Sequence, residues 1–235
     1  MAGTLFLLPV ALGPADSATL HPPATLETAR HLHHFVVENA KSARAELKRI
    51  AHPQPLQSLK IDELPKTPSE AELAALLAPA VTGNDIGLMS EAGCPAVADP
   101  GALLVRQAHR MGIRVAPLVG PSSLLLGLMA SGLNGQSFAF HGYLPVKDAE
   151  RATSLRELEK ESRRFKRTQL FIETPYRNQA MFSALLASLS PETQLCVARE
   201  LTTTGEWIAT RSVATWKKSE APDLDRRPTV FLFLA

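Results

Sequence analysis

The sequence predicts an α/β protein of two α/β domains, the first on a mostly parallel sheet and the second on a mixed one. Three observations carry this expectation. Short apolar runs bounded by turn residues alternate with segments of helical character along the first part of the chain. Strand, tight polar loop and helix follow one another twice in succession after Asp85. Beyond Ser137 the pattern changes to strand candidates with fewer intervening long helices, the texture of a mixed sheet.

Thr4-Leu5-Phe6-Leu7-Leu8 reads as the first buried strand, ended by Pro9 and the Gly13-Pro14 turn. His34-Phe35-Val36-Val37 is the second, with a helix from Ser42 to Ile50. Pro53, Pro55 and Pro65 punctuate the next stretch around a short strand candidate at Ser58 to Ile61. Thr67-Pro68-Ser69-Glu70 opens a helix whose Leu73, Leu76 and Leu77 fall on one face. Asp85 to Ser90 is a strand that runs into the loop Glu91 to Gly101 and then a helix carrying Leu103, Leu104 and Ala108. Ile113 to Leu118 is a further strand, which Gly120-Pro121-Ser122-Ser123 turns into an apolar helix. Gly132, Asn134 and Gly135 supply a hinge, so the two domains are expected at 1–133 and 134–235. Phe138-Ala139-Phe140, a charged helix, a strand from Thr168 to Ile172 and a helix with Phe182, Leu185, Leu186 and Leu189 on one face come next. Strand candidates at Leu195 to Ala198, Trp207 to Ala209 and Val230 to Phe233 follow.

Composition excludes several functions. Lys and Arg number 25 against 23 Asp and Glu, a net charge of +2, so any RNA contact must come from a local patch. Aromatic residues make up 6% of the chain, which disfavours a reader built on many stacked bases. Cys94 and Cys196 are too few for a disulfide framework, and a reducing, cytoplasmic location is expected. The apolar stretch Leu5 to Leu12, followed by Ala15-Asp16-Ser17-Ala18, superficially resembles a signal peptide, but no Lys or Arg precedes Arg30 and Pro9 interrupts the run. No apolar stretch is long enough to span a bilayer, so no membrane association is expected.

The glycine-rich loops that cradle dinucleotides or nucleoside triphosphates are absent, which lowers the case for NAD and ATP. The stiffest connection in the chain is Ser90 to Gly101, with two acidic residues, two glycines and two prolines between a strand and a helix. Asp99 reads as the cap of a helix starting at Pro100, a role compatible with holding a ligand. His21, His31, His33 and His34 lack carboxylate or cysteine partners at ligand spacing, and no metal is expected. Cys94 has no His and Asn or Asp pairing to mark it as a nucleophile. Lys160 to Arg167 carries five positive charges and one negative, which fits either a phosphate-binding face or a solvated surface.

Several of these segments, in order over nearly the whole chain, resemble the motifs of one superfamily. Ser90 to Gly101 and Val119-Gly120-Pro121-Ser122-Ser123 are similar to the paired motifs of the tetrapyrrole methylases, S-adenosylmethionine-dependent enzymes with two α/β domains and a cofactor cleft between them. Within it the chain most resembles the bacterial small-subunit ribosomal RNA ribose 2′-O-methyltransferases. Leu7 to Gly13 resembles that family's P-T-P-I-G segment, and Val36 to Arg44 its A-A-E-D-T-R-x-T-R segment. Phe140 to Pro145, Phe171 to Arg177 and Ala198 to Thr202 resemble its G-F-L-P, F-Y-E-S-P-H-R and A-R-E-L-T motifs. Glu91 stands where the superfamily has aspartate, Cys94 where it has threonine, and Asn39-Ala40-Lys41 where the family has D-T-R. The family's longer members continue for several dozen residues past the position of Ala235.

The resemblance implies S-adenosylmethionine held by Pro9, by Ser90, Glu91, Ala92 and Gly93, and by Ser122 and Ser123, with substrate-side loops in the first domain and a second domain that completes the cofactor site. It also implies a homodimer, and ribosomal RNA of the small subunit as the partner, docked by the basic helix Lys160 to Arg167. Methyl transfer to a ribose hydroxyl requires alignment first and a base second. The candidates for the base are Glu38, Lys41, Glu173 and Glu200, and an ion pair with Arg199 or Arg177 is the competing reading of Glu200. Methylation of a tetrapyrrole-like or other small metabolite, and a catalytically silent RNA-binding relative, are the alternatives.

Overall fold

The computed structural model describes residues 2–14 and 20–235, so the leader-like Ala15-Asp16-Ser17-Ala18 lies outside the described residues. The chain forms two compact units, Met1–Ser122 and Ser123–Ala235.

The first unit runs β1 (Thr4–Leu7), α1 (Pro23–His31), β2 (His34–Val37), α2 (Ala40–Arg49), β3 (Lys60–Glu63), α3 (Glu70–Val81), β4 (Ile86–Met89), α4 (Ala102–Arg110) and β5 (Arg114–Pro117). The five strands pair in the order β3-β2-β4-β1-β5, and every pairing is parallel. All four residues of β4 are buried, because helices cover both faces of the sheet. Leu26 and Ala29 of α1 and Ala43 and Leu47 of α2 pack with Phe35, Val37 and Met89 on one face. Leu73 and Leu77 of α3 and Leu104 and Ala108 of α4 pack with Leu5, Val36, Ile86 and Leu88 on the other. The chain thus leaves β1 toward β2 through the first face and leaves β4 toward β5 through the second. The adjacent strands β1 and β4 send their connections to opposite faces, and the carboxyl ends of such strands are the position at which doubly wound sheets bind ligands.

The second unit contains α5 (Ser123–Ser131), β6 (Phe138–Tyr143), α6 (Asp148–Phe165), β7 (Thr168–Ile172), α7 (Asn178–Ser188), β8 (Gln194–Arg199), β9 (Trp207–Ser212), α8 (Val213–Trp216) and β10 (Thr229–Leu234). Its sheet has the order β6-β7-β10-β8-β9, with β6 and β7 parallel and the other pairs antiparallel. Leu155, Phe182, Leu185 and Trp216 close one face over Phe171, Val197, Phe231 and Phe233. Leu128 of α5 meets Leu170, Cys196, Val230 and Leu232 on the other. This packing of α5 on the second sheet is why the compact units divide at 122/123, ahead of the glycine-marked boundary at 133/134.

The structure adds one helix to the sequence reading and corrects two local elements. The segment between the first two strands, given no element above, forms α1: Pro23 occupies its first turn, where a missing N–H costs nothing, and Leu26 and Ala29 behind it are buried. The third strand lies at Lys60–Glu63, two residues beyond the Ser58 to Ile61 candidate, because Leu56–Ser58 forms a 3-10 turn first. Asp99 does not cap a helix at Pro100. The helix starts at Ala102 with Gly101 at its cap in a positive-φ conformation and no side-chain cap bond, since the left-handed Ala96 and Ala98 coil the loop for longer than the proline suggested.

Candidate functional site

Sheet order brings together segments far apart in sequence. The loops after β4, β1 and β5 leave from three adjacent strands, so Ser90 to Gly93, Pro9 and Gly120 to Ser122 are neighbours. The first two are stitched by an antiparallel bridge, with Val10 N to Gly93 O at 2.8 Å and Gly93 N to Val10 O at 2.9 Å. The third is pressed against Pro9 so tightly that a Cβ on Gly120 would lie 2.4 Å from the Pro9 Cβ. Only glycine fits there. Cys94 Sγ donates to Pro121 O at 3.5 Å, and burial, then Asp99, raise its pKa, which suits a structural thiol and not a nucleophile.

Two residues that sequence reading did not assign to this site support it. His21, buried, donates from Nε2 to Pro9 O at 3.0 Å. Thr25, on the first turn of α1, donates from Oγ1 to Val119 O at 2.8 Å. The start of α1 therefore bonds carbonyls of both the β1 and β5 loops, that of Pro9 buried. Among the described residues no group of three or more His, Cys, Asp or Glu is placed to hold a metal ion.

Around the β2 and β4 ends lie carboxylates. Asn39 caps α2, its Oδ1 accepting from Lys41 N at 2.9 Å and Ser42 N at 3.2 Å. That cap presents Ser42 Oγ to Glu91 Oε1 at 3.4 Å, and Glu91 N donates to Glu38 Oε2 at 3.0 Å. Lys41 is exposed on the first turn of α2. Asp99 completes the group: burial first, then the charge of Glu38 and, more weakly, Glu91 push its pKa up to about 6, against the pull of the Ser90 hydroxyl. The strained Ala96 and Ala98, with φ of 66° and 64°, hold Asp99 there. The site is thus acidic, with one carboxyl close to neutrality.

The other two base candidates sit in the second unit, each in an ion pair. Glu173, 5% exposed, accepts from Thr174 N at 2.7 Å, Thr174 Oγ1 at 3.2 Å and Arg177 Nη2 at 2.7 Å. Glu200 accepts from Arg227 Nη1 at 2.7 Å, so its partner is neither Arg199 nor Arg177. The bond from Glu200 N to Pro228 O draws the turn before β10 alongside, and Arg199 instead lies over the Trp207 ring at 5.4 Å. The basic run is also reshaped. α6 ends at Phe165 and Lys166 takes a left-handed cap, so Arg167 lies beyond the helix and pairs with Glu161 at 2.7 Å. Arg163 approaches buried Glu159 at 3.9 Å, leaving Lys160, Arg164 and Lys166 as the less committed cations of the run.

Among the described residues no helix is long and apolar enough to cross a membrane. No family model matches the chain. Among solved structures it is similar to the methyltransferase CobJ, with a TM-score of 0.64 and 17% identity over 99% of this chain and 94% of that one. It is also similar to uroporphyrin-III-C-methyltransferase from Thermus thermophilus, with a TM-score of 0.55 and 20% identity over 100% of this chain and 93% of that one. These likenesses establish the tetrapyrrole methylase fold. Among curated relatives, the ribosomal RNA small subunit methyltransferase I of Vibrio cholerae is 41% identical over 54% of this chain and 43% of its own length. That of Xylella fastidiosa is 36% identical over 66% of this chain and 55% of its own length, so the chain spans about half the length of these relatives. The protein of the same name from Pseudomonas aeruginosa is 30% identical over 91% of this chain and 71% of its own length. Strand-end loops, two-sheet fold and near full-length similarity agree, and the chain belongs to the ribosomal RNA small subunit methyltransferase I family.

Proposed function

We propose that the protein is an S-adenosylmethionine-dependent methyltransferase that acts on a ribose hydroxyl of small-subunit ribosomal RNA. The observation that carries this reading is the convergence of Pro9, Ser90 to Gly93 and Ser122 on one edge of the parallel sheet, beside the carboxylates Glu38, Glu91 and Asp99. The donor set fits the cofactor: S-adenosylmethionine carries a sulfonium and an ammonium, and an acidic, partly buried site favours cations. The backbone closeness at Gly120 keeps that edge compact. When bound, the cofactor supplies an activated methyl group with a good leaving group, so alignment of the acceptor accounts for most of the rate.

Pro9, Ser90, Glu91, Ala92, Gly93, Ser122 and Ser123 are the proposed cofactor contacts. Glu38 and Lys41 are the preferred candidates for handling the acceptor proton, because they share the strand ends with those loops, whereas Glu173 and Glu200 are engaged by arginines. The acceptor is proposed as RNA on the strength of the family name, with the cations of 160–167 as a docking face. A cytoplasmic homodimer is the proposed state.

Calorimetry tests the cofactor. S-adenosylmethionine and S-adenosylhomocysteine should release heat and NAD should not, and Ser122→Trp should abolish the heat while the circular dichroism stays native. Mass spectrometry of nucleosides from small-subunit RNA, with and without the gene, tests the acceptor. A missing ribose methyl is the expected result, and an unchanged profile together with inactivity on assembled subunits overturns the RNA reading.

A further inference from the structure

The chain has only two tyrosines, and both are exposed, Tyr143 by 56% and Tyr176 by 69%. The other large rings of this unit are mostly spent on packing: Phe171, Phe182, Phe231, Phe233 and Trp216 are all at most 2% exposed. Phe138 and Phe165 are also exposed, at 45% and 49%, but the two tyrosines are the most exposed rings of the unit.

Backbone geometry brings them to one place. β6 and β7 are parallel, and the register slips between Phe140 and Tyr143, where Gly142 adopts a φ of 64°. This irregularity re-aims the end of β6 and sets Tyr143 opposite Ile172, the last residue of β7. Glu173 follows directly, and the 3-10 turn Pro175–Arg177 carries Tyr176. Both phenols therefore emerge at the carboxyl end of the same parallel pair.

Arg177 joins them. Its guanidinium is held at 2.7 Å by the buried Glu173 carboxylate and lies 5.8 Å from the centre of the Tyr176 ring. Tyr143 stands at the same strand end, opposite Ile172 on the neighbouring strand. A guanidinium locked by a buried carboxylate is a flat, preorganised surface. With the Tyr176 ring beside it and Tyr143 at the same strand end, the cluster has the chemistry that recognises splayed-out bases: π-faces that accept any base and a cation that strengthens stacking.

We infer that Tyr143, Tyr176 and Arg177 form a stacking subsite for an unpaired nucleobase of the RNA acceptor. The inference rests on the RNA reading above and names a contact that the cations of 160–167 cannot supply, since phosphates carry no base.

The test measures binding of the whole protein to a short single-stranded RNA and to a strand of equal length that lacks bases. Tyr143→Ala with Tyr176→Ala should raise the Kd for the base-bearing strand roughly 5- to 100-fold and leave the salt slope unchanged. Affinity for the abasic strand should not move, and Tyr143→Phe with Tyr176→Phe should bind as wild type, which guards against misfolding. Equal losses on both strands, or none on either, overturn the subsite. Loss of S-adenosylmethionine heat in the alanine variant also overturns it, by assigning the rings to the adenine of the cofactor. If the wild type binds RNA, these outcomes fall on the subsite alone; if it binds no RNA at all, the RNA reading fails and the subsite with it.

Discussion

Asp99 is a carboxyl held where its charge is unwelcome. Its folded pKa of about 6 lies above the ordinary 3.8, so the ionised form is disfavoured by folding. The penalty is absent below pH ~4, grows as pH rises through about 6, and is complete above that. Because the group is only about half shielded from water, screening reduces this penalty to the order of 1 kcal/mol. Asp99→Asn should therefore raise Tm by about 2–4 °C at pH 8 and leave it unchanged at pH 4, as scanning calorimetry at the two values can check. The same residue makes a statement about the proposed cofactor. A cation bound nearby favours ionised Asp99, so binding should release protons near pH 6 and affinity should fall as pH drops below it. Asp99→Asn should weaken binding at neutral pH and remove that dependence.

A single buried side chain ties three elements of the second unit. Glu159, on α6, accepts from Ser190 N at 2.7 Å and Ser190 Oγ at 3.0 Å, and also from Thr193 Oγ1, in the turn that joins α7 to β8. Glu159→Ala removes the acceptor from buried donors, and since hydrogen bonds to charged groups are worth about 1.5–3 kcal/mol, a loss of about 2–3 kcal/mol is expected in urea unfolding. Glu159→Gln, which keeps an acceptor oxygen, should lose less. The Lys160 to Arg167 run shows how an element changes the meaning of a charge count. Five cations in sequence become a helix end with a left-handed cap, and two of the arginines face acidic partners.

For the whole molecule the consequence is a modest electrostatic footprint. Replacing Arg163, Arg164, Lys166 and Arg167 with Gln should flatten the salt dependence of RNA binding by about one to two units, at about 0.7 per lost single-strand phosphate contact, because Arg163 and Arg167 are already partly neutralised. A drop near three units in a salt titration would mean that all four reach phosphates. The affinity for S-adenosylmethionine should be unaffected. The proposed cofactor loops belong to the parallel sheet of the first unit, and the basic run closes a helix of the second.

The parallel-then-mixed order of the sheets, most strand positions and the resemblance to the methylase family were legible in the chain itself. Apolar period, turn residues and collinear motifs are local quantities, and strands such as His34–Val37 and Thr168–Ile172 emerge at the expected residues. Packing partners were not legible, because they depend on register and on strand order. Nothing near Glu200 in sequence points to Arg227, and nothing near Pro9 marks His21 as the donor to its carbonyl. The raised Asp99 carboxyl needs Glu38 from another strand end, and the tyrosine pair needs the slip at Gly142. Local patterning therefore determined which elements form and in what order, while only the tertiary structure decided which side chains meet, since a contact across strands is set by the alignment of residues far apart along the chain.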